Sequence, residues 1–258
     1  MDQTERRRFL IRYLLAERDE DANYPLPPDA DGQKRLLRAL MNVRPASPVS
    51  EDFLAVQNEY LRERAREKGV IDAASLPRIR PCVSLWQGDI TRLKCGAIVN
   101  AANSQLLGCF APCHGCIDNA IHTFAGVQLR LACARLKERE HLAEERSGGA
   151  RITPAFNLPS RFVLHTVGPI VGDRVTAEDR AALASCYRSC LKLAAANDLE
   201  SVAFCCISTG EFGFPNEEAA EIAVKTVTKF LRAAERSLHV IFNVFKDLDL
   251  AIYQKLLA

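Results

Sequence analysis

The chain has 258 residues, enough for a full globular core in one large domain or one domain with an extension. Its 34 Lys and Arg against 32 Asp and Glu give a net charge of +2, so no global field demands nucleic acid or a membrane surface as partner. No run approaches the roughly 18 apolar residues of a membrane span. Residues 1–15 mix Asp2 and Glu5 with arginines ahead of a very short apolar stretch, which fits neither a signal peptide nor an acid-poor transit peptide. Ten cysteines without a secretory leader suit a reducing compartment, and the expected location is the cytoplasm.

Residues 1–78 are charged, poor in strand patterns and helical in period. Leu10, Tyr13 and Leu14 share a face, Leu36, Leu37, Leu40 and Met41 another, and Phe53, Val56, Tyr60 and Leu61 a third. Pro25, Pro27 and Pro28 separate the first helix from the second, and Pro45 and Pro48 the second from the third. This reads as a helical N-terminal extension whose apolar faces need cover, expected from the domain that follows.

Over 79–258 the texture changes to alternating strands and helices. Strand-length apolar runs fall at 83–86, 97–99, 162–167, 202–207 and 240–244, with helical patterns at 117–136, 177–196, 217–234 and 249–257. Buried strands that each return through a helix imply an α/β layer sandwich with a largely parallel sheet. Ligands on such sheets lie beyond the carboxyl ends of the strands, which directs attention to the loops there.

The loop from Gly108 to Cys116 packs Cys109, Cys113, His114 and Cys116 between a strand and a helix. Thiolate and neutral imidazole are zinc's preferred donors, and three protein ligands leave a tetrahedral ion one open position. Small buried apolar cysteines are the competing reading. The spacing is not the paired C-x-x-C of a structural finger. Ser208, Thr209, Gly210, Glu211, Phe212, Gly213, Phe214 and Pro215 follow a buried strand and open a helix, where glycine backbone and helix-start amides can cradle a phosphate. A plain Gly-rich turn would look the same, and neither a Walker loop nor the dinucleotide fingerprint is present. Taken singly, Asp89 in Gln87 to Thr91 reads as a cap, and the amides of Asn100 and Asn103 as loop-satisfying groups.

Together, the segments Gln87-Gly88-Asp89-Ile90-Thr91, Asn100-Ala101-Ala102-Asn103-Ser104, Cys116-Ile117-Asp118-Asn119-Ala120-Ile121-His122 and Ser208 to Pro215 resemble the macrodomain family of ADP-ribose-binding and ADP-ribose-hydrolysing proteins. The resemblance covers about Pro81 to Ala258. Where most hydrolytic members carry a run of glycines before the Asp, this chain carries Gly108 to Cys116, which looks like the zinc-containing subgroup.

The resemblance implies a three-layer α/β/α sandwich with a mixed, largely parallel sheet and ADP-ribose lying across the strand ends. It implies Asp89 and the Ile90 amide on adenine, Phe245 stacked on it, the loop of Ser208, Thr209, Gly210, Glu211, Phe212 and Gly213 around the diphosphate, and Asn103 at the distal ribose. It implies one Zn2+ per chain on Cys109, His114 and Cys116, with Cys113 as the extra thiol and the rival of Cys109. Asp118 matches the acid that orients or activates water near the scissile ribose bond, while also standing where it can cap a helix. His122 reads as an inward-facing histidine. The implied activity is zinc-dependent removal of mono-ADP-ribose from modified, expectedly acidic, side chains. The implied partners are an ADP-ribosylated protein, such as a lipoyl-carrier protein modified by a sirtuin-type transferase, and ADP-ribose, with no nucleic acid and no membrane. The alternatives are a non-catalytic reader, a hydrolase of small esters such as O-acetyl-ADP-ribose, and a nucleic-acid-contacting zinc module. Gly108 to Cys116 lacks the flanking basic cluster that the last would need.

Overall fold

The computed structural model describes residues 1–18, 24–234 and 237–258. Three helices come first: α1 (Gln3–Ala16), α2 (Ala30–Val43) and α3 (Glu51–Lys68). Asp2 caps α1 with a capping box to Glu5, Asp29 caps α2 through the Gly32 amide, and Ser50 caps α3 through the Phe53 amide. Their predicted faces meet in a cluster of their own, containing Leu10, Leu14, Leu37, Phe53 and Leu61, each at 3% exposure or less, so the cover expected from the following domain comes instead from the three helices themselves. Burying each such side chain contributes about 1.5–3 kcal/mol, which is what holds short helices that would be marginal alone. Tyr13 is only half-buried but stacks on Phe53, with ring centres 4.6 Å apart.

The α/β part runs β1 (Ile71–Asp72), β2 (Val83–Gln87), β3 (Leu93–Lys94), β4 (Ala97–Ala102), α4 (Ile117–Ala125), α5 (Val127–Arg139), β5 (Ala150–Pro154), β6 (Phe162–Val167), α6 (Ala177–Ala196), β7 (Ser201–Phe204), α7 (Asn216–Ala233), β8 (His239–Val244) and α8 (Asp247–Leu257). The main sheet has the order β2-β8-β7-β4-β6-β5, all parallel except β5, which is antiparallel to β6; β1 and β3 form a separate two-stranded pair. Helices α4 and α5 lie against β4 and β5, and the contiguous row α6, α7 and α8 packs on the remaining layer. This is the expected mixed, largely parallel three-layer sandwich, preceded by helices.

Three local expectations change. The pattern over 117–136 is two helices, because Gly126 sits at φ +98 and breaks the turn between α4 and α5. The strand expected at 202–207 ends at Phe204, so Cys205 to Ile207 already belong to the loop, whereas β4 runs past Val99 to Ala102. β5 was not foreseen: its segment is short and half polar, and it gains its place by antiparallel pairing of Ala150 with Thr166 through Pro154 with Phe162.

The helical region docks on α4 and α5. Asn42 Nδ2 donates to Thr123 Oγ1 at 3.0 Å, Gln57 Oε1 accepts from the Val127 amide at 3.0 Å, and Arg130 Nη1 donates to the carbonyl of Arg44. Gln57 and Asn42 are buried to within 1% of full. Polar side chains buried this deeply are stable only when paired.

Candidate active site

Asn100 on β4 and Asp118 on α4 face one another at the carboxyl end of the sheet. Asn100 Nδ2 donates to Asp118 Oδ1 at 2.7 Å, and Asn103 Nδ2 reaches Asp118 Oδ2 at 3.5 Å. Asp118 is 4% exposed. Burial lifts its carboxyl to about 6, against the opposing pull of the Asn100 donor and the Arg130 guanidinium. Behind it, the Asn100 amide also meets His165 Nδ1 at 3.2 Å, and Thr153 Oγ1 lies 2.9 Å from His165 Nε2. Burial holds His165 down at about 4. Burial, with His165 and Arg130 beside it, likewise keeps His122 well below its ordinary value and therefore neutral.

Gly108 begins the cysteine loop at φ +82, and a Cβ there would lie 2.7 Å from the His122 ring. Only glycine lets the loop lie on that histidine. Beyond it, the donor atoms of Cys109, His114 and Cys116 converge within 4.8 Å of one another. Cys109 Sγ is 3.6 Å from His114 Nδ1, which leaves His114 Nε2 facing Glu211 Oε1 at 3.6 Å. Cys116 caps α4, its sulfur accepting from the Asn119 amide at 3.4 Å. Cys113 turns away instead, its thiol donating to the carbonyl of Arg35 at 3.3 Å.

Two sulfurs and one imidazole nitrogen at half-buried positions suit zinc in kind and number, and three ligands leave an open position. Burial, with Cys109 and Asp118 as neighbours, pushes the Cys116 thiol up to about 12, and a bound cation would favour its thiolate. The residues present fit the metal.

The diphosphate-cradle candidate lies alongside. Ser208 adopts φ +66 and its hydroxyl is buried without a partner among the described residues, while Phe214 N–H donates to the Ser208 carbonyl at 2.9 Å. Gly213, at φ +68, closes the turn onto the Gly210 carbonyl at 3.1 Å, and the Phe212 carbonyl accepts from the Val171 amide at 2.9 Å. Thr209 Oγ1 donates to the Cys206 carbonyl, and Gly210 faces open space. An orphaned buried hydroxyl beside a glycine turn is the expected condition of a ligand cradle.

The Macro domain model matches residues 99–223 of this chain. A protein-ADP-ribose hydrolase of Treponema medium is 52% identical over the whole of both chains. Another, from Staphylococcus aureus (strain MSSA476), is 48% identical over 96% of this chain and 93% of its own. The chain belongs to the Macro domain family. Of solved structures, the Trypanosoma brucei macrodomain in complex with ADP-ribose has a TM-score of 0.67 and 30% identity, covering 85% of this chain and 95% of that one. The Oceanobacillus iheyensis macrodomain with ADP has a TM-score of 0.62 and 41% identity over 67% of this chain and 88% of that one.

In this macro domain the residues expected at adenine lie just past β2 and β8, at one edge of the main sheet. Phe245 is 74% exposed just past β8, so it is not a core phenylalanine. Ile90 is buried. Asp89 does act as a cap: Oδ1 accepts from the Thr91 amide at 3.0 Å and hydroxyl at 2.6 Å. Its other oxygen, however, accepts from Lys68 of α3.

Several residues that surround the candidate site escaped the sequence reading. His122 faces inward as expected, at 5% exposure; what escaped is its place beside the acid, with ring nitrogens that find no hydrogen-bond partner among the described residues and Asp118 Oδ1 at 3.5 Å, an i,i+4 pair on α4 that the spacing could have revealed. Arg130 Nε donates to the Leu107 carbonyl at 2.6 Å, and its guanidinium lies 4.0 Å over the Phe110 ring. Lys68, Arg38 and Asn42 reach the site from the helical region across long sequence separations, where no local pattern announces them.

Proposed function

We propose that this chain is a zinc-dependent hydrolase that removes mono-ADP-ribose from modified protein side chains, with Asp and Glu as the acceptors. The observation that carries the reading is the convergence of Cys109, His114 and Cys116 beside the buried Asp118, in a chain whose full-length relatives are named protein-ADP-ribose hydrolase. Ten free cysteines suit a reducing compartment, and we place the protein in the cytoplasm.

Asp89, the Ile90 amide and Phe245 bind the adenine, and the loop from Ser208 to Gly213 takes the diphosphate on backbone amides. Asn103 holds the distal ribose. Cys109, His114 and Cys116 would hold the zinc, which would supply Lewis acidity to the reaction. Asp118 orients a water and takes its proton. The water oxygen bonds to C1 of the ribose, the bond from C1 to the acceptor oxygen breaks, and the products are free ADP-ribose and an unmodified carboxyl group. Asn100 fixes the Asp118 carboxylate through Oδ1, so that Oδ2, with Asn103 at the limit of reach, is presented without reorganisation.

The test combines metal analysis of the purified protein with release of ADP-ribose from a protein modified on acidic side chains, before and after chelation. About one zinc per chain and activity lost on chelation and restored by zinc are expected. Tight ADP-ribose binding with no cleavage of the protein linkage would replace the hydrolase by a reader, and cleavage confined to O-acetyl-ADP-ribose would make it an esterase for small molecules.

A further inference from the structure

The stretch between β4 and α4 carries no regular secondary structure from Asn103 to Cys116, yet three of its side chains must hold donors in one place. Ordering such a loop costs backbone entropy, and a metal site needs its ligands fixed to within about 0.5 Å. Within the α/β sandwich the loop is held by Asn119, whose Nδ2 donates to the Ala111 carbonyl at 2.9 Å, and by Arg130 under Phe110. Arg130 Nε also holds the Leu107 carbonyl, but the ties at residues 113 and 114 come from another part of the chain.

Arg38 on α2 spreads its guanidinium over Asn119 and the loop at once. Nε and Nη2 donate to Asn119 Oδ1 at 3.1 and 2.7 Å, and Nη2 also donates to the carbonyl of His114 at 2.8 Å. One turn on, Asn42 accepts the Cys113 amide at 2.9 Å and spends its other end on Thr123. That amide belongs to a non-glycine residue at φ +55, a left-handed conformation that needs outside support. The Arg35 carbonyl takes the Cys113 thiol. Residues 113 and 114, between the first and last candidate ligands, are thus both pinned to α2.

We propose that Arg38 and Asn42 are positioning residues for the metal loop, which makes the N-terminal helical region a working part of the metal site as well as a cover for α4. The proposal rests on the reading of Cys109, His114 and Cys116 as the metal-holding set. Arg38 suits the task because its planar fork bonds two acceptors in fixed directions; lysine offers a point charge and cannot reproduce the pair.

The experiment measures zinc affinity of the full-length chain by competition with a chromophoric chelator, together with the visible spectrum of the cobalt-substituted protein, for the parent, Arg38→Ala, Arg38→Lys and Asn42→Ala. Gln57→Ala is the structural control, since it breaks the same helical docking at Val127 without touching the loop. Arg38→Ala should weaken zinc binding by about 10- to 100-fold, the usual effect of losing a group that orients ligands. It should also alter the cobalt ligand-field bands, and Arg38→Lys should not restore either property. Gln57→Ala should lower the melting temperature while leaving affinity and spectrum at parent values. If Arg38→Ala does not fold, Arg38→Lys and Asn42→Ala carry the same comparison. Parent affinity and spectrum in the folded Arg38 and Asn42 variants, or an equal loss in Gln57→Ala, would overturn the positioning role. A parent protein that binds no zinc would instead overturn the metal reading of the loop and take the proposal with it.

Discussion

Lys68, the last residue of α3, places Nζ 2.5 Å from Asp89 Oδ2 and 3.6 Å from the centre of the Phe124 ring. The helical region therefore touches the candidate adenine end of the cleft as well as the metal end. Burial would raise the Asp89 carboxyl, but the Lys68 and Thr91 donors outweigh it and hold the group below its ordinary value. A depressed carboxylate contributes stability that is present above its unfolded value and lost as pH falls through the folded one.

Asp89→Ala should therefore weaken ADP-ribose binding by about 10-fold, the loss of roughly one hydrogen bond to the ligand, and also cost some stability. Both side chains of the pair are about one-quarter exposed, so solvent screening limits its share of that cost to about 1 kcal/mol or less. Calorimetric titration gives the first number and a thermal double-mutant cycle with Lys68→Ala the second. Unchanged affinity in a folded Asp89→Ala protein would remove the adenine contact. Additive thermal effects would show the ion pair to be worthless.

Zinc content should separate the cysteines of the loop. His114→Ala and Cys116→Ala each remove a converging donor and should lower occupancy well below one per chain, whereas Cys113→Ala removes a thiol that bonds the Arg35 carbonyl and should keep the metal. Elemental analysis after dialysis decides it. Occupancy retained in His114→Ala and Cys116→Ala, or lost in Cys113→Ala, would redraw the ligand set.

Much of the fold was legible because burial imposes period. The strand at 162–167 and the helix at 177–196 fall where the pattern put them, and the three apolar faces of the N-terminal helices are buried as their period required, though in one another and not, as expected, in the α/β domain. What escaped depends on partners distant in sequence. β5 is a strand only because β6 offers it an antiparallel edge, and Cys205 to Ile207 read as strand although the chain there has turned toward Ser208. That the short loop from Gly108 to Cys116 gathers metal donors was readable from spacing, but the set Cys109, His114 and Cys116 came from the family resemblance, since spacing left Cys113 in competition. Arg38, Asn42 and Lys68 were not readable, since a charged or amide residue on a helix face looks like solvated surface until the element that covers it is known.

The docking of α3 offers a direct stability measurement. Gln57 is fully buried, accepts from the Val127 amide and donates to Gln128 Oε1 at 2.7 Å. Gln57→Ala leaves that amide without its partner, a penalty of about 1–3 kcal/mol. A melting temperature lower by several degrees is expected, with removal of residues 1–78 far more damaging because it uncovers α4 and α5. Thermal denaturation of both forms checks this. A fully stable 79–258 fragment would show the helical region to be a separate module.

Asp118 is where stability and function pull apart. At 4% exposure an ionised carboxylate is poorly solvated, and its direct support is the Asn100 donor, with Asn103 at the limit of reach. Asp118→Asn keeps shape and the acceptor facing Asn100 while removing the buried charge, so the metal-free variant should melt at or above the parent temperature. The same change removes the group that takes the proton from water, an interaction made mainly in the transition state. Turnover of an ADP-ribosylated acidic side chain should fall by at least 10²-fold, the low end of what a positioned acid or base contributes, while ADP-ribose affinity stays within several-fold of the parent. Single-turnover release assays and titration calorimetry on the zinc-loaded protein separate the two quantities. Parent-rate hydrolysis by Asp118→Asn would strip the residue of its chemical role, and a parallel collapse of binding and turnover would reduce it to a ligand contact.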